Sequence, residues 1–426
     1  MGEWLPINQL FDFEKGTLQS SKCTPGQYTF ITAAEEWKTH AAYTHDCEAL
    51  IFAMAASGSL GRTHHFKGKF TSSDLCFILI PKRGKELDLK FYYRVFNFLR
   101  EDIVKRTATG TSKLAINQTN FGNYQLPFFN INHQLAFTGK LDNISEIKNS
   151  LVNGFLSQSE NLSLLRQTIL QDAIKGKLTA DWRKKHPACK GNQDTDAVVL
   201  LTKIRVHWES FQVRSRAIKN GFLIEPLNEL NGWVKTNIDS IGIVKVGGTP
   251  GRNNFAYWNG KIPWVSSGEV ANCEIFDTKE HITILGSSES AAKIFPAGSV
   301  LVAMIGQGKT RGQAAILRID ASTNQNVCGI IIDHGLIEPM FLYYYFLSRY
   351  EESRSYASGG NQPALNGEKI GKFVINLPPI NEQNEIIKRV GKLLAMVDEL
   401  EKQVAERKGQ AQMLMQAVLR EAFEGK

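Results

Sequence analysis

No apolar run in this 426-residue chain approaches the ~20 residues that a membrane-spanning helix needs. Cysteine is scarce and scattered: Cys23, Cys47, Cys76, Cys189, Cys273 and Cys328 show no Cys-x-x-Cys spacing. That argues against a zinc framework or a disulfide frame and predicts reduced, mostly buried thiols. Of nine histidines only His64 and His65 are adjacent, and neighbours on a strand point to opposite faces. There is no His-x-x-x-His and no acid–His–nucleophile set. The first residues lack a basic segment and an apolar segment of a signal peptide, so the expected location is cytoplasmic. No proline follows Pro379.

What is present is an ordinary globular composition, 42% hydrophobic and 22% charged, long enough for two or three domains. Net charge is +8. From Leu178 to Phe222 nine Lys/Arg face four acids, an excess of five in a tenth of the chain. This stretch reads either as a solvated connector or as a phosphate-contacting surface.

The proline-free end carries a heptad seam. Apolar residues fall at Ile386, Val390, Leu393, Val397, Leu400 and Val404, then at Ala411, Leu414 and Val418. A helix of about 45 residues is a rod of roughly 65–70 Å, and its single stripe requires a partner. Subtracting 249 finds one in the same chain: Phe137, Leu141, Ile144, Leu151, Phe155, Leu165 and Ile169. Only Val397 fails, landing on Lys148. Residues 165–177 and 414–426 agree at six of thirteen positions, including a shared Gly-Lys, and Ile131-Asn-His-Gln134 parallels Ile380-Asn-Glu-Gln383. The pattern is a duplication.

Taken in order, residues 1–130 form a first α/β head, with buried strands expected at Ala49–Met54 and Leu75–Ile80 and a helix over Phe91–Leu99. Residues 131–177 are the first long helix, weakened near Gly139 and Gly154. Residues 178–222 are the basic connector, with a short helix near Ala197–His207. Residues 223–379 repeat the head, and 380–426 the helix. In the repeat Trp4 pairs with Trp233, Phe52 with Val302, Leu75 with Val327, Phe91 with Phe341 and Asn117 with Asn366. The second head holds roughly twenty extra residues between Trp233 and Val302, including Trp258 and Trp264. The fold class expected is α/β (α+β): two globular heads separated by two long helices paired as an intramolecular antiparallel coiled coil, with pseudo-two-fold symmetry.

Two stretches imitate catalytic motifs. Ala303–Thr310 fits a relaxed phosphate-binding loop, but the following residues alternate as a strand does, and a phosphate loop must lead into a helix. Asn376-Leu-Pro-Pro379 approaches the Asn-Pro-Pro-aromatic motif of amino-methyltransferases, yet Leu377 intervenes and Ile380 replaces the aromatic. The prolines more simply end a strand and start a helix. No metal site and no catalytic residues are assigned.

Polar loops are the better sites. Candidates for DNA contact are Arg62, Lys67, Thr109 and Lys113 in the first head. In the second they are Arg252, Ser266, Ser267, Gln307, Lys309, Arg311, Asn361 and Gln362. Arg and Lys match guanine edges or phosphates, and Asn and Gln match adenine edges.

Taken together, Gly232-Trp233, Gly359-Gly-Asn-Gln-Pro-Ala-Leu-Asn366, Leu377-Pro-Pro-Ile-Asn-Glu-Gln383 and Gly176-Lys-Leu-Thr-Ala-Asp-Trp-Arg183 resemble the DNA-specificity subunits of type I restriction–modification systems. The first head departs from that pattern, with Thr109-Gly-Thr-Ser112 and Leu126-Pro-Phe-Phe129. The resemblance implies two target-recognition domains and a non-catalytic subunit bound to double-stranded DNA. It also implies two adenine methyltransferase subunits and endonuclease/translocase subunits as partners, with S-adenosylmethionine, ATP and Mg held by them. The competing readings are a methyltransferase or nucleotide hydrolase acting alone, and a helical scaffold that binds only protein.

Overall fold

The structure is a computed structural model describing residues 3–424 except 57, 111–113, 211–212, 214, 307, 334 and 356–364, without the side chains of 355, 415 and 418–424. Compactness divides it into two units, residues 1–156 with 406–426 and residues 157–405.

The first head opens with β1 (Glu3–Pro6), α1 (Ile7–Leu10) and β2 (Phe11–Lys15), followed by β3 (Tyr28–Ile31) and β4 (Lys38–His40). Next come β5 (His45–Ala53), β6 (Thr63–Ser72) and β7 (Cys76–Pro81). A helical pair follows, α2 (Leu89–Phe98) and α3 (Arg100–Thr107), then β8 (Ala108–Thr109) and β9 (Ala115–Ile116). The head closes with α4 (Gln118–Asn123) and β10 (Gln125–Phe128). Its main sheet runs β2-β7-β5-β6-β3-β4, and β1 pairs antiparallel with β10. Phe11, Phe52, Phe77, Phe96 and Phe121 fill the core between that sheet and the helices. The Phe52 and Phe121 rings lie 4.4 Å apart, centre to centre.

The first long helix, α5 (Ile131–Ile174), runs unbroken through Gly139 and Gly154, so the expected weak points do not interrupt it. Then come α6 (Ala180–Lys185), α7 (Ala197–Ser210) and α8 (Arg216–Asn220). The connector is packed on its apolar side, while Lys184, Lys185, Lys190, Lys203, Arg205 and Lys219 stay exposed. Ala197, Leu201, Ile204 and Trp208 are buried in the same core as Trp233 and Ile238. Arg183 and Arg216 are tied to Glu382 and Asp239.

The second head repeats the first: β11 (Glu225–Pro226), β12 (Val234–Asn237), α9 (Ile238–Ile241), β13 (Gly242–Val246) and β14 (Trp258–Val265). It continues with β15 (Cys273–Ile275), β16 (Glu280–Ile282), α10 (Ile284–Ser288), β17 (Ile294–Phe295), β18 (Val300–Ala303) and β19 (Ala314–Leu317). After β20 (Ala321–Thr323) and β21 (Val327–Ile332) come α11 (Pro339–Ser348), α12 (Tyr350–Ser355), α13 (Gly367–Gly371) and β22 (Val374–Leu377). Pro378 and Pro379 end that strand, and α14 (Ile380–Glu424) begins 249 residues after α5.

Strand register corrects two sequence pairings. Pro6 sits opposite Gln125 as Asn237 sits opposite Val374, so Trp4 corresponds to Lys235 and not to Trp233. Trp4 is exposed, whereas Trp233 is buried. Ala53 faces Cys76 as Ala303 faces Val327, so Leu75 corresponds to Asn326, one residue from the expected match. Phe52 and Val302 pair as expected. The offset rises from 231 at Phe11 and Gly242 to 250 at Ala53 and Ala303, which places nineteen added residues between β13 and β18. Asn117 and Asn366 occupy the same helix cap: Asn117 accepts from Thr119 N at 2.9 Å and Asn366 from Lys369 N at 2.8 Å. Each such cap stabilises by about 1 kcal/mol.

Within the second unit α5 and α14 run antiparallel. Arg166 reaches Asp398 and, at 3.1 Å, Glu401, while Ala173 shares a core with Ile386 and Val390. Within the first unit Lys148, Leu151, Val152 and Phe155 face Lys408, Ala411, Gln412 and Gln416 across a gap of about 380 Å³. The seam is therefore only partly closed. Leu141, Ile169, Ile386, Val390 and Val397 are buried, Phe137, Ile144, Phe155, Leu393 and Val404 are half-buried, and Leu151, Leu165, Leu400 and Leu414 remain exposed. Val418 lies outside the described side chains. The cysteine expectation also needs amending, since only Cys76 and Cys328 are buried; burial pushes both thiols up to about 12. Among the described residues no helix is long and apolar enough to cross a membrane.

Candidate nucleic-acid interface

In each head the β-hairpin turn that carries candidate residues, Arg62 in the first and Lys309 and Arg311 in the second, is built the same way. In the first, Ala53 N donates to Arg62 O and Gly61 N to Ala53 O, both at 2.8 Å. In the second, Ala303 N donates to Gln313 O and Gly312 N to Ala303 O, both at 2.9 Å. The glycine is required. Gly61 and Gly312 have φ of +77° and +82°, and a Cβ would lie 2.7 Å from Val104 and 2.8 Å from Ser353. The following helix pins each turn: Arg100 donates to Leu60 O (2.8 Å) and Gly58 O (3.1 Å), and Tyr350 Oη donates to Lys309 O (2.7 Å). Ala303–Thr310 thus begins a turn between antiparallel strands and leads into no helix, which removes the phosphate-loop reading.

Neighbouring loops join this turn in the second head. Met304 N donates to Asn326 O (2.9 Å), Asn324 N to Val265 O (3.0 Å) and Gly248 N to Thr323 O (2.8 Å). Asn272 Oδ1 accepts from Ala314 N (3.0 Å), and Thr249 meets Gln325. Residues 247–252, 265–272, 304–306, 308–313 and 324–326 therefore form one polar edge. Gln325 and Asn326 belong to it but escaped the sequence reading, because Asn-Gln-Asn between two strands looks like any turn. Gln313, which occupies the position of Arg62, was missed for the same reason.

The candidate residues fare unequally. The Lys309 ammonium is exposed and has no partner among the described residues. The Arg311 guanidinium turns inward to Arg354 O at 3.2 Å, so it stiffens the turn and does not present a fork to a base. Arg252 is likewise engaged: it lies over Trp258 at 3.9 Å and pairs in bidentate fashion with Glu280, holding that carboxyl below its usual range. Ser266 Oγ donates to Glu269 at 2.7 Å, while Ser267 is half-exposed. In the first head Lys67 pairs with Glu48 at 3.1 Å, and Arg62 reaches Ser59 at 3.4 Å and lies 3.9 Å from Glu35. Thr109 joins the turn of its head, because Ile116 beside it donates to Met54 O at 2.8 Å. Lys113, Gln307, Asn361 and Gln362 lie outside the described residues. No group of three or more metal-ligating side chains occurs among the described residues.

Comparison with known proteins meets this geometry at the second head. A family model, the type I restriction modification DNA specificity domain, matches residues 231–407. The second head with the first part of its helix is thus a DNA-specificity domain. Along its length the chain is similar to type I restriction–modification specificity subunits. It is 22% identical to the EcoDI specificity subunit of Escherichia coli over 435 residues, 98% of this chain and 87% of that protein. It is 28% identical to the EcoR124I/EcoR124II specificity subunit of Escherichia coli over 150 residues, 34% of this chain and 37% of that protein. A Methanocaldococcus jannaschii specificity subunit, MjaIX, is 31% identical over 159 residues, 36% of each. For the last two the match spans little more than a third of the relative's length. The fold is shared with the HsdS subunit of Thermoanaerobacter tengcongensis, at TM-score 0.55 and 13% identity over 100% of this chain and 97% of that one. A chain solved in a study of type I system assembly gives TM-score 0.65 at 13% identity, over 99% and 97%.

Proposed function

We propose that this chain is the sequence-reading subunit of a type I restriction–modification complex, each head reading one half of a bipartite DNA target. The observation that carries this reading is one backbone edge built twice with unlike side chains. Arg62, Asp74 and Leu75 in the first head stand where Gln313, Gln325 and Asn326 stand in the second. A shared frame with different donors and acceptors is what reading two unlike half-sites requires. The helices set the gap between halves, with half-sites about one helical turn, ~10 bp, centre to centre.

Two adenine methyltransferase subunits dock on the helices. Exposed apolar side chains recur at equivalent helix positions: Ile147 and Met396 are each 56% exposed, Leu164 and Met413 66% and 64%. Two such surfaces suit two copies of one partner. S-adenosylmethionine, ATP and Mg belong to the methyltransferase and the endonuclease/translocase subunits, the chain itself carries no catalytic step, and the complex works in the cytoplasm. Mapping methylated adenines in cells that express the system tests the reading. An interrupted two-part motif is expected, and a continuous motif contradicts it.

A further inference from the structure

Two neighbouring loops of the second head end in an apolar tip. Phe255 is 86% exposed, Ile284 81% and Leu285 44%. These are large side chains in water, yet the backbone beneath them is firmly held. Thr283 N donates to Tyr257 O at 2.9 Å and its hydroxyl to Ala256 O at 2.7 Å, while Tyr257 Oη donates to Glu289 at 2.6 Å. Gly286 packs so tightly that a Cβ would sit 2.5 Å from Tyr257 O. Exposure here is built in.

Two facts say what meets this tip. The loop that bears Phe255 leaves directly from the polar edge, through the Gly248–Thr323 and Thr249–Gln325 contacts, and its exposed run Gly251–Ala256 holds Asn253 and Asn254 beside an Arg252 that Glu280 neutralises. The first head has no such apolar tip: twelve residues separate Ile282 from Phe295 but only four separate His40 from His45, the equivalent strand ends, and the loop equivalent to that of Phe255 carries Ser20, Ser21 and Lys22 at its 3-10 turn. A partner bound in two copies would need the tip twice. A DNA target with unlike halves needs it once.

We propose that Phe255 and Ile284 form a wedge that enters the DNA at the half-site read by the second head and unstacks one base step. This rests on the DNA-reading function above. Rigid Phe, Leu and Ile side chains are the groups that proteins insert between base pairs. Such a wedge favours easily unstacked pyrimidine–purine steps, which adds specificity at a step that the polar edge does not hydrogen-bond.

The test uses the chain with its methyltransferase subunits and duplexes carrying the mapped target. 2-Aminopurine is placed at successive steps away from the methylated adenines. The expected result is a fluorescence rise at one step in the half read by the second head. Phe255→Ala with Ile284→Ala should abolish that rise, lower target affinity about tenfold and relax preference at that step. A rise that survives in the double variant overturns the wedge, as does its absence from a wild-type complex bound to the target. Loss of the methyltransferase subunits from the double variant also overturns it and makes the tip a protein dock. Failure of the wild-type complex to select the target at all is a separate result, and it removes the DNA-reading function itself.

Discussion

The Gln383 carboxamide accepts a hydrogen bond from the Glu338 backbone N–H at 2.9 Å, where the second long helix meets α11. Its amide group donates to Pro378 O at 3.0 Å. Gln134 does the same in the first head, accepting from Asp88 N at 2.8 Å and donating to Phe129 O at 2.6 Å. Both glutamines are fully buried. The Ile-Asn-x-Gln identity at the two helix starts thus has a mechanical cause: one side chain fixes the direction in which each helix leaves its head. Gln383→Leu strands a buried N–H and a buried carbonyl, and should lower stability by about 1–3 kcal/mol in denaturant titration. A neutral result would remove this fixing role.

A stronger joint lies beside it. Glu382 is buried and accepts from Thr179 Oγ1 (2.6 Å), Arg183 Nη2 (2.8 Å) and Trp233 Nε1 (2.7 Å). Glu382→Ala leaves the Arg183 charge uncompensated and should cost about 3–5 kcal/mol by urea unfolding. Glu382→Gln keeps the shape and some acceptor capacity, so it should cost less.

Lys309 is an exposed cation of the second reading edge, with no partner among the described residues. Lys309→Ala should weaken DNA binding by the complex and lower the slope of log affinity against log salt by about one. The bases selected should stay the same, because an ammonium on a phosphate positions without specifying. A changed methylation motif would instead place Lys309 on a base edge.

His64 gives the first head a pH dependence. Burial lowers its pKa from the ordinary 6.5, so the folded head binds fewer protons there than the unfolded chain. Its contribution to stability is therefore present above about pH 6.5 and is lost as pH falls below that value. Thermal unfolding of the chain between pH 7 and pH 5 should show the loss, and His64→Gln should reduce it. An unchanged profile would mean that another group controls the transition.

Much of this architecture was legible in the sequence. The long helices were clear because a heptad stripe and its 249-residue echo are periodic signals that survive divergence. The turns after Ala53 and Ala303 were legible from their glycine, but the sequence assigned Gly312 to the following strand, and only the structure shows that Gly61 and Gly312 hold the same position. Trp4 misled, since a tryptophan beside a turn suggested a match with Trp233 that strand register refuses. The basic count from 178 to 222 carries no sign that Arg183 and Arg216 fold onto Glu382 and Asp239 while Lys184, Lys185, Lys190, Lys203, Arg205 and Lys219 stay exposed. Gln313, Gln325 and Asn326 stayed hidden because a polar turn residue declares its neighbours only in three dimensions.

The account stands on two heads that read separately. Exchange of the second head, residues 223–379, for that of another specificity subunit tests it most directly, with methylated adenines mapped genome-wide in cells expressing the complex. The account predicts one new half-site, the other half-site unchanged and the gap preserved. A change in both halves together would contradict it.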